Sequence, residues 1–170
     1  MRVMRILDLL IKILPSKLIF AHCDIPCGIY DPHAAQMAAH TVIRMTKLAN
    51  EMQASSDNAP FEERKKIIHD LARITKVKEE HAEIVKHEIR VLWGDYFKEE
   101  HLKSYPELHD LVWKTLKLAS KVKQNIDLEN AQALLENTQK IAEIFWKTKG
   151  LEPVRIPSGY PTEGEIVTHQ

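Results

Sequence analysis

Three side chains near the front of the chain have the chemistry and the spacing to hold a metal. His22, Cys23 and Cys27 stand in the run His22-Cys23-Asp24-Ile25-Pro26-Cys27-Gly28-Ile29-Tyr30. Thiolates are soft ligands and imidazole a borderline one, so the set suits zinc, copper or nickel and is wrong for magnesium or calcium. Pro26 and Gly28 let the backbone hook around an ion, the first by its fixed φ and the second by its conformational freedom. Two or three side chains do not complete a closed tetrahedral zinc site. The cysteines are equally open to pairing with each other or to staying reduced, because a Cys-x3-Cys spacing also arises by accident. Asp24 reads first as a turn residue whose carboxylate holds backbone amides.

The elements that must position these residues are helical. The chain has 170 residues, 44% hydrophobic and 28% charged, with only 5 Gly and 8 Pro, which describes one all-helical domain with a real core. Basic and acidic residues number 24 each, so no global basic field attracts nucleic acid. No apolar run is long enough to span a membrane, and two cysteines are too few for a secreted disulfide scaffold.

From Asp31 onward the apolar spacing predicts four amphipathic helices. The first opens at Asp31-Pro32 and carries Ala38, Val42, Met45, Ala49 and Met52 on one stripe. The second runs from Pro60 toward Trp93, with Ile68, Leu71, Thr75, Ala82, Val85, Ile89 and Leu92. Ser104 and Glu107 around Pro106 predict a capping-box start for the third, and Asn125 to Asp127 turns the chain into the fourth, which ends near Gly150. Short connections predict antiparallel neighbours, hence an all-α, antiparallel four-helix bundle spanning 22–150 behind a hook at 22–30. Residues 151–170 contain Pro153, Pro157 and Pro161, have no period, and read as a flexible C-terminal tail.

Residues 1–21 form a leader with Arg2, Arg5, Lys12 and Lys17 against Asp8, a net charge of +3, which leaves −3 on the remainder. A basic start and Ala21 before the cut fit a secretory signal, but Asp8 and Lys12 interrupt the apolar stretch. The leader therefore reads as a removable propeptide of a cytoplasmic protein, with export as the less favoured alternative. A helix here would be amphipathic, with Val3, Ile6, Leu10 and Leu14 near one side, and would not insert stably in a membrane.

The run from His22 to Pro32 resembles the metal hook of the nickel-containing superoxide dismutases, with His, Cys, Asp, Pro, Cys, Gly, Tyr, Asp and Pro all at that family's spacing. The resemblance continues through Val91-Leu92-Trp93 with Asp95-Tyr96-Phe97-Lys98, through Tyr105-Pro106-Glu107-Leu108-His109, and through Ile144-Phe145-Trp146. It covers about residues 22–150. It implies a four-helix bundle assembling as a homohexamer, one nickel ion per subunit, superoxide as the substrate, and a peptidase that removes the leader.

The resemblance also implies a coordination. Cleavage between Ala21 and His22 would free an α-amine to bind nickel beside the Cys23 amide nitrogen and the sulfurs of Cys23 and Cys27. The His22 imidazole would be axial to the oxidised metal. Anionic thiolates and a deprotonated amide donate charge and stabilise Ni(III), so the metal cycles between Ni(II) and Ni(III) as superoxide becomes dioxygen and hydrogen peroxide. Tyr30 is then the gate at the open face, and Tyr96 matches the tyrosine that hydrogen-bonds with it. Apart from the resemblance, both read as ordinary aromatics.

One departure stands out. The family often supports the axial histidine with a carboxylate on the first helix, itself held by an arginine on the second. Ala38 falls at the first of these positions and His81 at the second, so His22 needs another partner, and His81 is a candidate for supporting it. The Glu79-Glu80-x2-Glu83 run lacks the paired Glu-x-x-His motifs of a di-iron bundle. The competing function is a nickel or copper carrier that holds metal at the same site without turnover.

Overall fold

The computed structural model describes residues 28–170. Its helices are α1 (His33–Glu51), α2 (Phe61–Val91), a short α3 (Glu99–Ser104), α4 (Leu108–Gln124) and α5 (Leu128–Thr148), followed by strands β1 (Pro153–Pro157) and β2 (Glu165–His169). Asp31, just before the N-cap Pro32 of α1, accepts the His33 N–H through Oδ1 at 2.6 Å, and Asp127 caps α5 by accepting the Asn130 N–H at 3.0 Å. Each side chain satisfies a donor that the first helical turn leaves unpaired.

The four long helices pack in a ring: α1 on α2, α2 on α4, α4 on α5, and α5 back on α1. Small residues line the buried face of α1, with Ala35, Ala38 and Ala39 all fully or nearly fully buried. Val85 and Ile89 of α2, Val112 and Val122 of α4, and Leu134 and Ile141 of α5 fill the interior. Burying each such side chain is worth roughly 1.5–3 kcal/mol. The ring is what gives every amphipathic stripe a partner.

Three sequence expectations need correction. Ile68, assigned to the apolar stripe of α2, is 68% exposed; it lies in the first turns of a 31-residue helix. The capping box at Ser104 and Glu107 does not form. Ser104 instead ends α3, its hydroxyl donating to the Glu100 carbonyl at 3.2 Å, and no side chain caps α4.

The largest difference is the C-terminal segment, which replaces an all-α reading by a helical fold carrying a small sheet. Strands β1 and β2 pair antiparallel, Val154 opposite Thr168 and Ile156 opposite Ile166. Val167 is buried, and its N–H and C=O are both taken by Gln36 of α1, at 2.7 and 3.0 Å. Glu165 O accepts from His40 Nε2 at 3.0 Å and from Gln139 Nε2 at 2.5 Å. The outer edge of β2 is thus closed by helix side chains. By the same register Pro153, Arg155 and Pro157 face outward on β1, where two of the three have no N–H to offer another strand. Arg155 binds Glu143 at 2.7 Å and Glu136 at 3.3 Å on α5. Prolines that looked like breakers are edge protection.

Candidate active site

Tyr96 is delivered by a backbone irregularity. After Val91 the helix widens into a π turn, Leu92–Tyr96, closed by the Phe97 N–H donating to the Leu92 carbonyl at 2.9 Å. Such turns are rare and often occur at functional sites, because the extra residue re-aims the side chains that follow. Here it sets Tyr96 against the end of α5, with its ring centroid 4.6 Å from Phe145. The Phe97 ring lies 5.3 Å away and the His101 ring stacks at 5.7 Å. The Tyr96 hydroxyl is 2.8 Å from Thr148 Oγ1.

Tyr30 completes this cluster. It directly precedes Asp31, which holds the first N–H of α1, and its ring centroid is 5.5 Å from that of Tyr96 at an angle of 54°. Residues 30 and 96 belong to different helices' ends, and packing of α1 against α2 brings them together. Gly28 precedes them with φ of 85°, a left-handed conformation that favours glycine. Lys149 Nζ stands 4.7 Å from the Phe145 ring centre and 5.8 Å from that of Tyr96, a cation beside the aromatic wall.

The proposed ligands His22, Cys23 and Cys27, together with Asp24, lie outside the described residues. Their chemistry fits nickel: two thiolates with nitrogen donors match its preference for square-planar sites of soft and borderline ligands. Among the described residues no three His, Cys, Asp or Glu side chains converge as a metal site. Ala38 is buried in the core. His81 is half-buried, and its Nδ1 lies 2.8 Å from the Val77 carbonyl of its own helix.

Sequence reasoning missed Lys149, His101 and Thr148 in this cluster. His101 and Thr148 carry no motif, and each lies at a helix position whose neighbours are known only after packing. The spacing of Phe145 and Thr148, three residues on one helix face, was the only available signal.

The model of the family described as nickel-containing superoxide dismutase matches residues 17–149. This chain belongs to that family. It is 42% identical over 135 residues to the superoxide dismutase [Ni] of Streptomyces coelicolor, covering 79% of this chain and 93% of that one. The corresponding enzyme of Streptomyces seoulensis is 41% identical over the same length. A native nickel superoxide dismutase structure aligns with TM-score 0.63 at 39% identity, covering 75% of this chain and 99% of that one. Another, with its nickel ligation corresponding to the oxidised state, gives the same TM-score over 76% and 99%. The β1–β2 hairpin lies beyond the residues that the family model matches.

Proposed function

We propose that this chain dismutates superoxide at the hook 22–30, with His22, Cys23 and Cys27 as nickel ligands and with Tyr30 and Tyr96 at the opening. The reaction consumes two superoxide anions and two protons and yields one dioxygen and one hydrogen peroxide. Nickel, one per subunit, supplies the one-electron exchange between the two superoxide molecules. The residues of the chain supply the rest.

The Tyr30–Tyr96 pair is the observation that supports this reading most directly. Two phenols 5.5 Å apart, centre to centre, stand where the hook enters α1. Phenol hydroxyls order water and small oxyanions by hydrogen bonding, and their rings limit the approach of anything larger. Restricted access matters because hydrogen peroxide oxidises exposed thiolates. Lys149, at the same wall, offers a positive charge to an incoming anion. A metal carrier has no need of such a gate, and family membership does not favour the carrier reading.

Cleavage at Ala21–His22 by a peptidase belongs to the same proposal, as do an antiparallel four-helix bundle and a cytoplasmic location. So does a homohexamer, which would cover apolar side chains that one chain leaves exposed: Ile29, Phe61 and Trp113. No helix among the described residues is long and apolar enough to cross a membrane.

The test is electron paramagnetic resonance of the nickel-loaded, leader-free protein together with superoxide consumption, for the parent and for Cys23→Ser and Cys27→Ser. The expected result is a Ni(III) signal with axial nitrogen splitting and turnover in the parent, both lost in each variant with helical circular dichroism retained. Nickel bound tightly by the parent without turnover would overturn the enzyme reading.

A further inference from the structure

We infer that Thr148 is a positioning residue for the reaction, one that takes the proton of the Tyr96 hydroxyl and so leaves that oxygen an acceptor to every other partner. The inference rests on the tyrosine-gate reading above. Thr148 Oγ1 is in contact with two oxygens: the Phe145 carbonyl at 2.7 Å and the Tyr96 hydroxyl at 2.8 Å. A threonine hydroxyl has one proton. A carbonyl oxygen has none, so the contact with Phe145 is a hydrogen bond only if Thr148 donates. Two oxygens at 2.7 Å without a proton between them would repel. The Thr148 proton is therefore committed to Phe145, and the contact with Tyr96 is a bond only if Tyr96 donates to Thr148.

The direction of the chain follows: Tyr96 O–H to Thr148, Thr148 O–H to the Phe145 carbonyl. Three features hold it in place. Thr148 is the last residue of α5, and the Phe145 carbonyl, which accepts the Lys149 N–H at 3.3 Å, has a second lone pair for the Thr148 hydroxyl. The Tyr96 ring is held on its faces and edges by Phe145, Phe97 and His101. The π turn fixes its backbone. With its proton spent on Thr148, the Tyr96 oxygen has only lone pairs left. Any other group that meets it, whether a phenol, a water or a protonated product, must donate to it.

This assigns the two tyrosines different duties. Tyr96 is an acceptor that holds a donor in place, and the proton passed toward reduced substrate comes from the Tyr30 side or from solvent. Without Thr148 the Tyr96 hydroxyl is free to rotate and to act as a donor.

Neutron diffraction of the perdeuterated, nickel-loaded protein reads the direction itself. The expected result is a deuteron on Tyr96 Oη aimed at Thr148 and one on Thr148 Oγ1 aimed at Phe145; a Thr148 deuteron aimed at Tyr96 would overturn the inference. Kinetics read the consequence. Thr148→Val should lower kcat/KM by about two- to tenfold, the scale of one net hydrogen bond, and Thr148→Ser should restore it. In a Tyr96→Phe background Thr148→Val should have no further effect, because the two act as one unit. An equal loss in both backgrounds would mean that Thr148 only supports the scaffold, and would overturn its positioning role. Turnover that slows in Tyr96→Phe but not in Thr148→Val would remove the Thr148 inference and leave the gate standing. Full turnover in Tyr96→Phe would remove the gate reading itself.

Discussion

Gln36 and Val167, 131 positions apart, are joined as two strands would be. The Gln36 carboxamide accepts the Val167 N–H at 2.7 Å and donates to the Val167 carbonyl at 3.0 Å, with both residues buried. A side-chain amide has the same donor and acceptor as a peptide unit, so one glutamine on α1 stands in for a third strand beside β2. The hairpin beyond the family's matched length is held on the helices through this substitution.

Replacing Gln36 with Leu should therefore loosen the hairpin first. The two Val167 groups would stay buried without partners, at a cost of roughly 1–3 kcal/mol each. Limited proteolysis should cut within 151–170 in the variant before it cuts the helices, and the urea midpoint should fall. Cutting at the parent's rate would show that the clamp contributes nothing.

His40 makes hairpin docking sensitive to acid. Burial holds its imidazole below the ordinary histidine pKa, and the bond to the Glu165 carbonyl offsets only part of that. Its Nδ1 is 2.8 Å from Thr162 Oγ1, and Lys47 and Arg44 stand on the same helix. The unfolded chain takes up the proton first, so the stability due to neutral His40 is present above the unfolded pKa. It is lost as pH falls below about 6.5. The melting temperature should decline more steeply through this window in the parent than in His40→Gln. Parallel slopes would exclude His40 as the cause.

Lys78 is a buried cation with a structural task. Its ammonium donates to Asn125 O at 2.8 Å, to Lys123 O at 3.4 Å and to the Val122 carbonyl, closing the C-terminal end of α4. Lys78→Met keeps the aliphatic bulk and removes every donor. It should destabilise the protein by about 1–3 kcal/mol, measured by urea unfolding, with the nickel content of the folded protein unchanged. A midpoint equal to the parent's would show that water replaces the ammonium without loss.

The leader offers a sharper comparison. An α-amine has a free lone pair and a pKa of about 7.7–8.0, whereas the nitrogen joining Ala21 to His22 is a planar amide whose lone pair is delocalised. At equal nickel content, the full chain and a Met-His22 start should both be inactive, and the chain trimmed to His22 active. Comparable dismutation rates in all three would mean that the terminal amine is dispensable.

Helical periodicity and ligand chemistry are local properties, and the sequence alone determined what depends on them. The stripes of Val85, Ile89, Val112 and Ala142 repeat within each helix, so they mark the buried faces without knowledge of a partner. His22, Cys23 and Cys27 are close neighbours along the chain, and their donor types point to a soft-metal site whatever the fold. Tertiary structure decided what depends on distant meetings. Tyr96 reaches Thr148 across 52 positions only because a π turn re-aims it at the end of α5. The hairpin was invisible because each strand has five residues, too few to display a period, and β1 begins and ends on prolines. It exists because Gln36, His40 and Gln139, spaced as ordinary polar residues along two helices, present their amides and imidazole to one strand edge. An isolated two-stranded hairpin is marginal in water; only the packed helices supply the partners that make this one stable.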